Sequence, residues 1–146
     1  MRELPRKLTV DELAELFEGR TRLVELLAET EDPLGRADDV IVRLDDAEKV
    51  EALAAHPAIG QRSGLSERSV TEQGSDRDPA VLSELAYLNQ VYEEKFGFRF
   101  VVFVTGRPKR EVLDVLRGRI ANTREQELET GCRELVAIAR DRWTRT

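Results

Sequence analysis

The segment from Phe98 to Val104 is the part of the chain that most constrains its fold. Apart from one arginine, its residues are aromatic or β-branched, a composition typical of buried β-strands. A strand needs a partner, and the only other candidate in the sequence is Val40 to Leu44. We therefore predict that residues 98–104 form an extended, buried segment with little or no pairing, inside a protein that is otherwise helical.

Capping signals divide most of the remaining chain into helices. Thr9 followed by Glu12, and Thr123 followed by Gln126, have the spacing of capping boxes at helix starts. Proline is favoured in the first helical turn, and glycine commonly follows the last. These signals predict an all-α fold, a single-domain bundle of about six to eight helices over residues 1–146. The predicted starts are Thr9, Thr21, Asp45 or Asp46, Ser66 or Ser69, Asp78-Pro79, Pro108 and Thr123, with stops at Gly19, Ala28, His56 and Gly97 and a loop over 30–39.

Charge and composition exclude several classes of protein. The chain carries 23 Lys and Arg against 29 Asp and Glu, a net charge of −6, which argues against a nucleic-acid or anionic-membrane partner. No apolar run approaches the ~20 residues of a membrane helix, and residues 1–3 do not open a signal peptide. With one cysteine and one histidine, the chain forms neither an intramolecular disulfide nor a Cys/His zinc site. We expect a soluble, cytoplasmic protein with no metal.

The only histidine, His56, stands at the predicted end of a helix, immediately before Pro57. A helix C-terminus favours the imidazolium, which predicts a ring that holds a proton near neutral pH. Pro57 and Gly60 would fix the turn that follows and project the ring in one direction. The alternatives are a catalytic imidazole and a solvent-facing capping histidine, and both stay open on this pattern.

The last predicted helix carries a continuous stripe at Leu128, Cys132, Leu135, Ala139 and Arg142. Arg142 therefore takes a position where the pattern predicts an apolar residue. Either its guanidinium points inward toward an anionic ligand, or it snorkels to water and complements the helix dipole. Cys132 on the same stripe is interpreted as a core residue rather than a nucleophile.

Residues 69–73, Ser-Val-Thr-Glu-Gln, also admit two interpretations. Ser69 and Glu72 have the spacing of another capping box. Alternatively, Glu72 is a carboxylate for acid/base work or for orienting His56, with Ser69 and Gln73 as hydrogen-bonding partners of a substrate.

Residues 107–124 form a basic stretch, with six basic side chains against two acidic ones, a local charge of +4. It is interpreted either as a solvated helix face or as a positive rim that attracts a small anion. The basic residues are Arg107, Lys109, Arg110, Arg117, Arg119 and Arg124, and the acidic ones are Glu111 and Asp114.

Four segments in order, residues 56–60, 69–73, 92–102 and 138–142, resemble the OHCU decarboxylase family. OHCU is 2-oxo-4-hydroxy-4-carboxy-5-ureidoimidazoline, an intermediate between urate and allantoin. Each motif alone is weak, whereas the ordered set covers most of the chain and is specific. The sequence departs from the usual family pattern at Gly74-Ser75 and at Arg99, where many members have Ala-Gly and Pro.

The resemblance implies an all-α, cofactor-free carboxy-lyase that produces (S)-allantoin and assembles as a homodimer. It implies that the catalytic residues are His56, Glu72 and Arg142. Two alternatives remain, namely an inactive helical interaction module and a decarboxylase for another ureide or carboxylate. Residues implied to contact the substrate are Pro57, Ser69 and Gln73, together with the backbone of Phe100, Val101, Val102, Phe103 and Val104.

Overall fold

The computed structural model describes residues 7–56, 78–104 and 106–145. Within these residues the chain forms seven α-helices and no β-strand. This confirms the all-α prediction. The predicted helix at Ser66 or Ser69 lies outside the described residues. The helices are α1 (Val10–Phe17), α2 (Arg22–Ala28), α3 (Ala37–Ile41), α4 (Asp46–Ala55), α5 (Pro79–Phe96), α6 (Lys109–Arg119) and α7 (Arg124–Thr144).

The predicted capping boxes are present at the starts of α1 and α7. The Thr9 hydroxyl accepts from the Glu12 N–H at 3.1 Å, and the Glu12 carboxylate accepts from the Thr9 N–H, also at 3.1 Å. Thr123 and Gln126 repeat the arrangement at 3.2 and 2.9 Å. Each box satisfies two backbone N–H groups at the helix end, which explains why the helices begin at these residues.

The extended segment at residues 98–104 is confirmed, since it is neither helix nor strand and all but two of its side chains are buried. Its candidate partner is not a strand, because Val40 and Ile41 lie in α3. The loop predicted over residues 30–39 was therefore wrong at its end. Tertiary packing accounts for α3, because Ala37, Val40 and Ile41 turn a buried face to the core.

Helices α2 and α7 each pack against α1, α3 and α4, while α5 packs against α6. Gly131 permits the close approach of α4, because a Cβ atom there would lie only 3.0 Å from Leu53 Cδ2. Helices α1 and α4 thus end beside the buried face of α7. None of the described helices is long and apolar enough to cross a membrane.

Candidate functional site

His56 is the C-capping residue of α4, and its backbone is extended with φ −82° and ψ 138°. The helix ends here because a residue that precedes proline disfavours helical dihedral angles. The His56 N–H donates to the Leu53 carbonyl at 3.2 Å. Its ring atom Nδ1 is buried and makes no hydrogen bond with the described part of the chain. The side chain is therefore a partly buried imidazole rather than a solvent-facing cap.

The protonation predicted for His56 was wrong. Burial is the largest effect and lowers the pKa of His56 from 6.5 to about 4. The positive charge of Arg142 lowers the pKa further, the carboxylate of Glu18 raises it, and Arg99 adds a smaller lowering effect. The helix C-terminus does favour the imidazolium, but desolvation outweighs it, so the ring is neutral at neutral pH.

Arg142 is buried on α7, with a side chain that is 0% exposed. Its Nη1 donates to the Leu16 carbonyl at 3.0 Å and lies 3.0 Å from Glu18 Oε1. The side chain therefore points inward and does not snorkel to water. A buried guanidinium needs a partner of this kind, since an unpaired charge in the interior is strongly unfavourable.

Glu18, which pairs with Arg142 in the candidate site, was not predicted from the sequence. Helix α1 ends at Phe17, and Glu18, one residue before the predicted stop at Gly19, takes the left-handed conformation with φ 65°. A non-glycine residue in this region carries backbone strain. In this conformation the Glu18 carboxylate pairs with Arg142. The contact joins opposite ends of the chain, so no local sequence motif predicts it.

Arg99 joins the end of α4 to the extended segment. Its Nη1 donates to the His56 carbonyl at 2.6 Å and to the Ala54 carbonyl at 3.1 Å. Its Nε lies 3.5 Å from Glu93 Oε1 on α5. Sequence reasoning identified Arg99 only as a departure from the family pattern, whereas the structure places its guanidinium at the backbone of His56.

The backbone of residues 100–104 is partly engaged by side chains of α6 and α7. The Val101 carbonyl accepts from Arg119 Nη1 at 2.7 Å, and the Phe103 N–H donates to Glu134 Oε1 at 3.3 Å. A buried C=O or N–H group generally needs such a partner. These contacts hold the extended segment in place without a neighbouring strand.

A buried polar network centred on Glu127 supports this arrangement. Glu127 Oε1 accepts from the Tyr92 hydroxyl and from Arg119 Nε, both at 2.7 Å, and Oε2 accepts from Asn122 Nδ2 at 2.9 Å. The guanidinium of Arg119 also lies over the Phe100 ring, 4.6 Å from its centroid. The network connects α5, α6 and α7 to the extended segment.

Four of the residues implied to form the site, Pro57, Ser69, Glu72 and Gln73, lie outside the described residues. Among the described ones, His56 and Arg142 lie close enough for the charge of one to act on the other. Within residues 7–56, 78–104 and 106–145, no three His, Cys, Asp or Glu side chains gather as a metal site.

Four of the six basic side chains at residues 107–124 make ion pairs with described residues, including Arg110 with Asp78 at 3.7 Å. Arg117 pairs with Glu84, and Arg124 lies 2.6 Å from Asp46 in a two-point contact. Arg119 is buried with the polar network. Because these four guanidinium groups are already paired, the stretch is a salt-bridged surface more than a positive rim.

Comparisons with known proteins point to one family. The sequence model of the OHCU decarboxylase family matches residues 2–144. The chain is 37% identical over 98 residues to the uric acid degradation bifunctional protein TTL of Arabidopsis thaliana, covering 61% of this chain and 30% of that protein. It is 34% identical over 95 residues to a 2-oxo-4-hydroxy-4-carboxy-5-ureidoimidazoline decarboxylase of Halalkalicoccus jeotgali, covering 62% and 54%. These matches therefore span about a third to a half of the length of the curated relatives.

The fold is similar to that of a solved structure described as OHCU decarboxylase in the presence of (S)-allantoin. The TM-score is 0.73 at 25% sequence identity, covering 90% of this chain and 94% of that one. A second structure, of an (S)-allantoin synthase, matches with a TM-score of 0.67 at 24% identity, covering 91% and 47%, and supports the same fold.

Proposed function

The chain belongs to the OHCU decarboxylase family, and on this premise we propose that it decarboxylates OHCU to (S)-allantoin in urate degradation. The observation that carries the proposal is that a neutral, partly buried imidazole at His56 lies close enough to the buried guanidinium of Arg142 to feel its charge. This reaction requires a proton carrier and a fixed positive charge in a partly desolvated site.

The chemistry of the substrate explains why the reaction proceeds without a cofactor. The departing carboxylate sits on a carbon next to a ring C=N group, so the ring itself accepts the electron pair of the broken C–C bond. The protein supplies position, partial desolvation and a proton delivered to one face of the ring. Delivery to one face gives a single enantiomer of allantoin.

His56 is proposed as the proton shuttle. A neutral imidazole accepts a proton from the substrate's hydroxyl and returns one to the ring carbon after CO2 leaves. Its buried Nδ1, with no partner among the described residues, is one ring atom available for this task. Glu72 is proposed to hold a ring or ureido N–H of the substrate and to keep His56 oriented.

Arg142 is proposed to bind a ring oxygen rather than the departing carboxylate. Tight pairing with the carboxylate would stabilise the ground state and slow the loss of CO2. A ring oxygen gains negative charge as the bond breaks, so a fixed guanidinium stabilises the transition state more than the substrate. The contact of Nη1 with Glu18 and the Leu16 carbonyl holds the guanidinium in place for this role.

Substrate contacts are proposed at Pro57, Ser69 and Gln73 and along residues 100–104. Within this extended segment, Phe100 and Val102 make no backbone hydrogen bond to the described residues. Their N–H and C=O groups are therefore the ones we propose for binding the ureido group, whose donors and acceptors match a backbone amide.

The proposal is tested by following chiral allantoin with circular dichroism after the protein is added to freshly generated OHCU. His56→Asn and Arg142→Ala should each lower kcat by on the order of 100-fold or more. The chain has no second histidine to replace the proton shuttle, and Arg142→Ala removes the guanidinium proposed to stabilise the transition state. Arg133→Ala, which removes an exposed guanidinium of α7, is the matched control and should stay near the parent value.

Near-normal turnover by His56→Asn would refute this assignment. A folded parent protein with no turnover would instead favour the inactive interaction module. Turnover of a different ureide or carboxylate, with OHCU rejected, would favour the alternative specificity.

We also propose that the protein acts in the cytoplasm as a homodimer, with no metal, organic cofactor or nucleic-acid partner. The net charge of −6 supports the absence of a polyanionic partner, and the family resemblance supports the homodimer and the cofactor-free reaction. Light scattering of the purified protein measures its mass, and full activity after dialysis against a chelator is expected.

A further inference from the structure

We propose that Arg99 is a positioning residue that fixes the backbone of His56 against the extended segment of the site. The kinetic consequences of this role rest on the proposed decarboxylase function. The structural role rests on the contacts of the Arg99 guanidinium with the end of α4 and with α5.

The end of α4 is where Arg99 acts. The last carbonyls of a helix have no partner within the helix, and Pro57 contributes no N–H group to satisfy them. Arg99 Nη1 donates to two of them, at 3.1 Å to Ala54 and at 2.6 Å to His56. Both carbonyls are thus fixed by one guanidinium nitrogen, and the His56 backbone is fixed with them.

The other end of the Arg99 side chain is anchored by its neighbours in sequence. Phe98 and Phe100 are 5% and 1% exposed, so the backbone of Arg99 is held between two buried rings. Both rings pack on Tyr92 of α5, with centroids at 6.0 and 5.2 Å. The guanidinium therefore extends from a rigid base, which is necessary for it to fix another element.

Glu93 faces the guanidinium of Arg99 from α5. Its carboxylate lies 3.5 Å from Arg99 Nε, but this nitrogen makes no hydrogen bond with the described residues. Arg99 is 30% exposed at the side chain and Glu93 47%, so this ion pair contributes little to stability. Arg99 thus joins α4, α5 and the extended segment at one point.

The charge of Arg99 also acts on the imidazole. Among the described residues, the charged groups that act on His56 are Arg142 from α7, Glu18 from the end of α1, and Arg99. Arg99 and Arg142 both disfavour the imidazolium, and Glu18 opposes them. Removal of Arg99 should therefore raise the pKa of His56 from about 4 as well as loosen its backbone.

The test compares Arg99→Ala, Arg99→Lys and the exposed control Arg133→Ala by kinetics and by NMR. Because His56 is the only histidine, its ring proton resonances can be assigned without ambiguity and titrated with pH. Arg99→Ala should lower kcat by on the order of 10- to 100-fold with KM little changed, since a misplaced proton carrier slows chemistry more than binding. The same variant should raise the pKa of His56.

Arg99→Lys should recover part of kcat, because it keeps the positive charge and a donor but not the planar guanidinium. If Arg99→Ala does not fold, Arg99→Lys carries the test with an intermediate kcat and a smaller pKa change. Parent-like kcat together with an unchanged His56 titration would overturn the positioning role. An inactive parent would refute the decarboxylase function alone, because the His56 titration in the variants still reports the contact.

Discussion

At the scale of single residues, the partly buried imidazole of His56 couples folding to pH. Its pKa is about 4 in the folded chain against an ordinary value of 6.5, so between these values the unfolded chain binds a proton that the folded chain does not. His56 therefore does not reduce the free energy of unfolding above pH 6.5. Below that value the free energy of unfolding decreases as the pH falls toward 4, by at most ~1.4 kcal/mol for each unit of difference between the two pKa values. Urea unfolding of the parent and of His56→Gln measures this contribution, because the variant cannot titrate here. Equal pH dependence in both proteins would contradict it.

The residues of the candidate site differ in how far they could be predicted from the sequence. Arg142 is visible because it interrupts an apolar stripe, and His56 because a proline follows it. Glu18 is not visible, since its importance comes from a partner near the other end of the chain. The pKa of His56 is likewise hidden, because the burial that lowers it comes from packing and not from its neighbours in sequence.

At the scale of elements, the Glu127 network determines how α5, α6 and α7 hold the extended segment. Glu127→Ala should lower the free energy of unfolding by about 3–5 kcal/mol, because it leaves the buried guanidinium of Arg119 without its carboxylate. Glu129→Ala is the matched control on the same helix, and loss of its exposed pair with Arg133 should cost only about 0.5 kcal/mol. Denaturant unfolding measures both. Similar values for the two variants would show that the network contributes no more than a surface pair.

Helices were predictable where a side chain caps them. Thr9, Thr21, Asp45 and Thr123 each accept a hydrogen bond from a backbone N–H in the first turn, and each signal is local in sequence. Helix α3 was missed because Arg36 makes no side-chain cap and the helix has only five residues. Such a helix depends on tertiary packing, which a sequence pattern does not show.

At the scale of the whole molecule, contacts between distant parts of the chain unite the described helices. Arg142 reaches the Leu16 carbonyl 126 positions away, and Arg140 reaches the Leu34 carbonyl 106 positions away, at 2.8 Å. Both arginines lie on α7, so the N-terminal helices are held to the C-terminal one. A helix as short as α1 is unstable in isolation and depends on these contacts.

This dependence predicts that α1 and α7 unfold together. Leu13 is 0% exposed on α1, and Trp143, the only tryptophan, is 2% exposed on α7. Leu13→Ala should lower the free energy of unfolding by about 2–5 kcal/mol. It should shift the transition seen by Trp143 fluorescence and that seen by far-UV circular dichroism equally, because the two helices share one core. Glu15→Ala, an exposed position on the same helix, should change stability by less than about 0.5 kcal/mol. A dichroism transition that precedes the fluorescence transition in Leu13→Ala would show instead that α1 detaches while α7 stays packed.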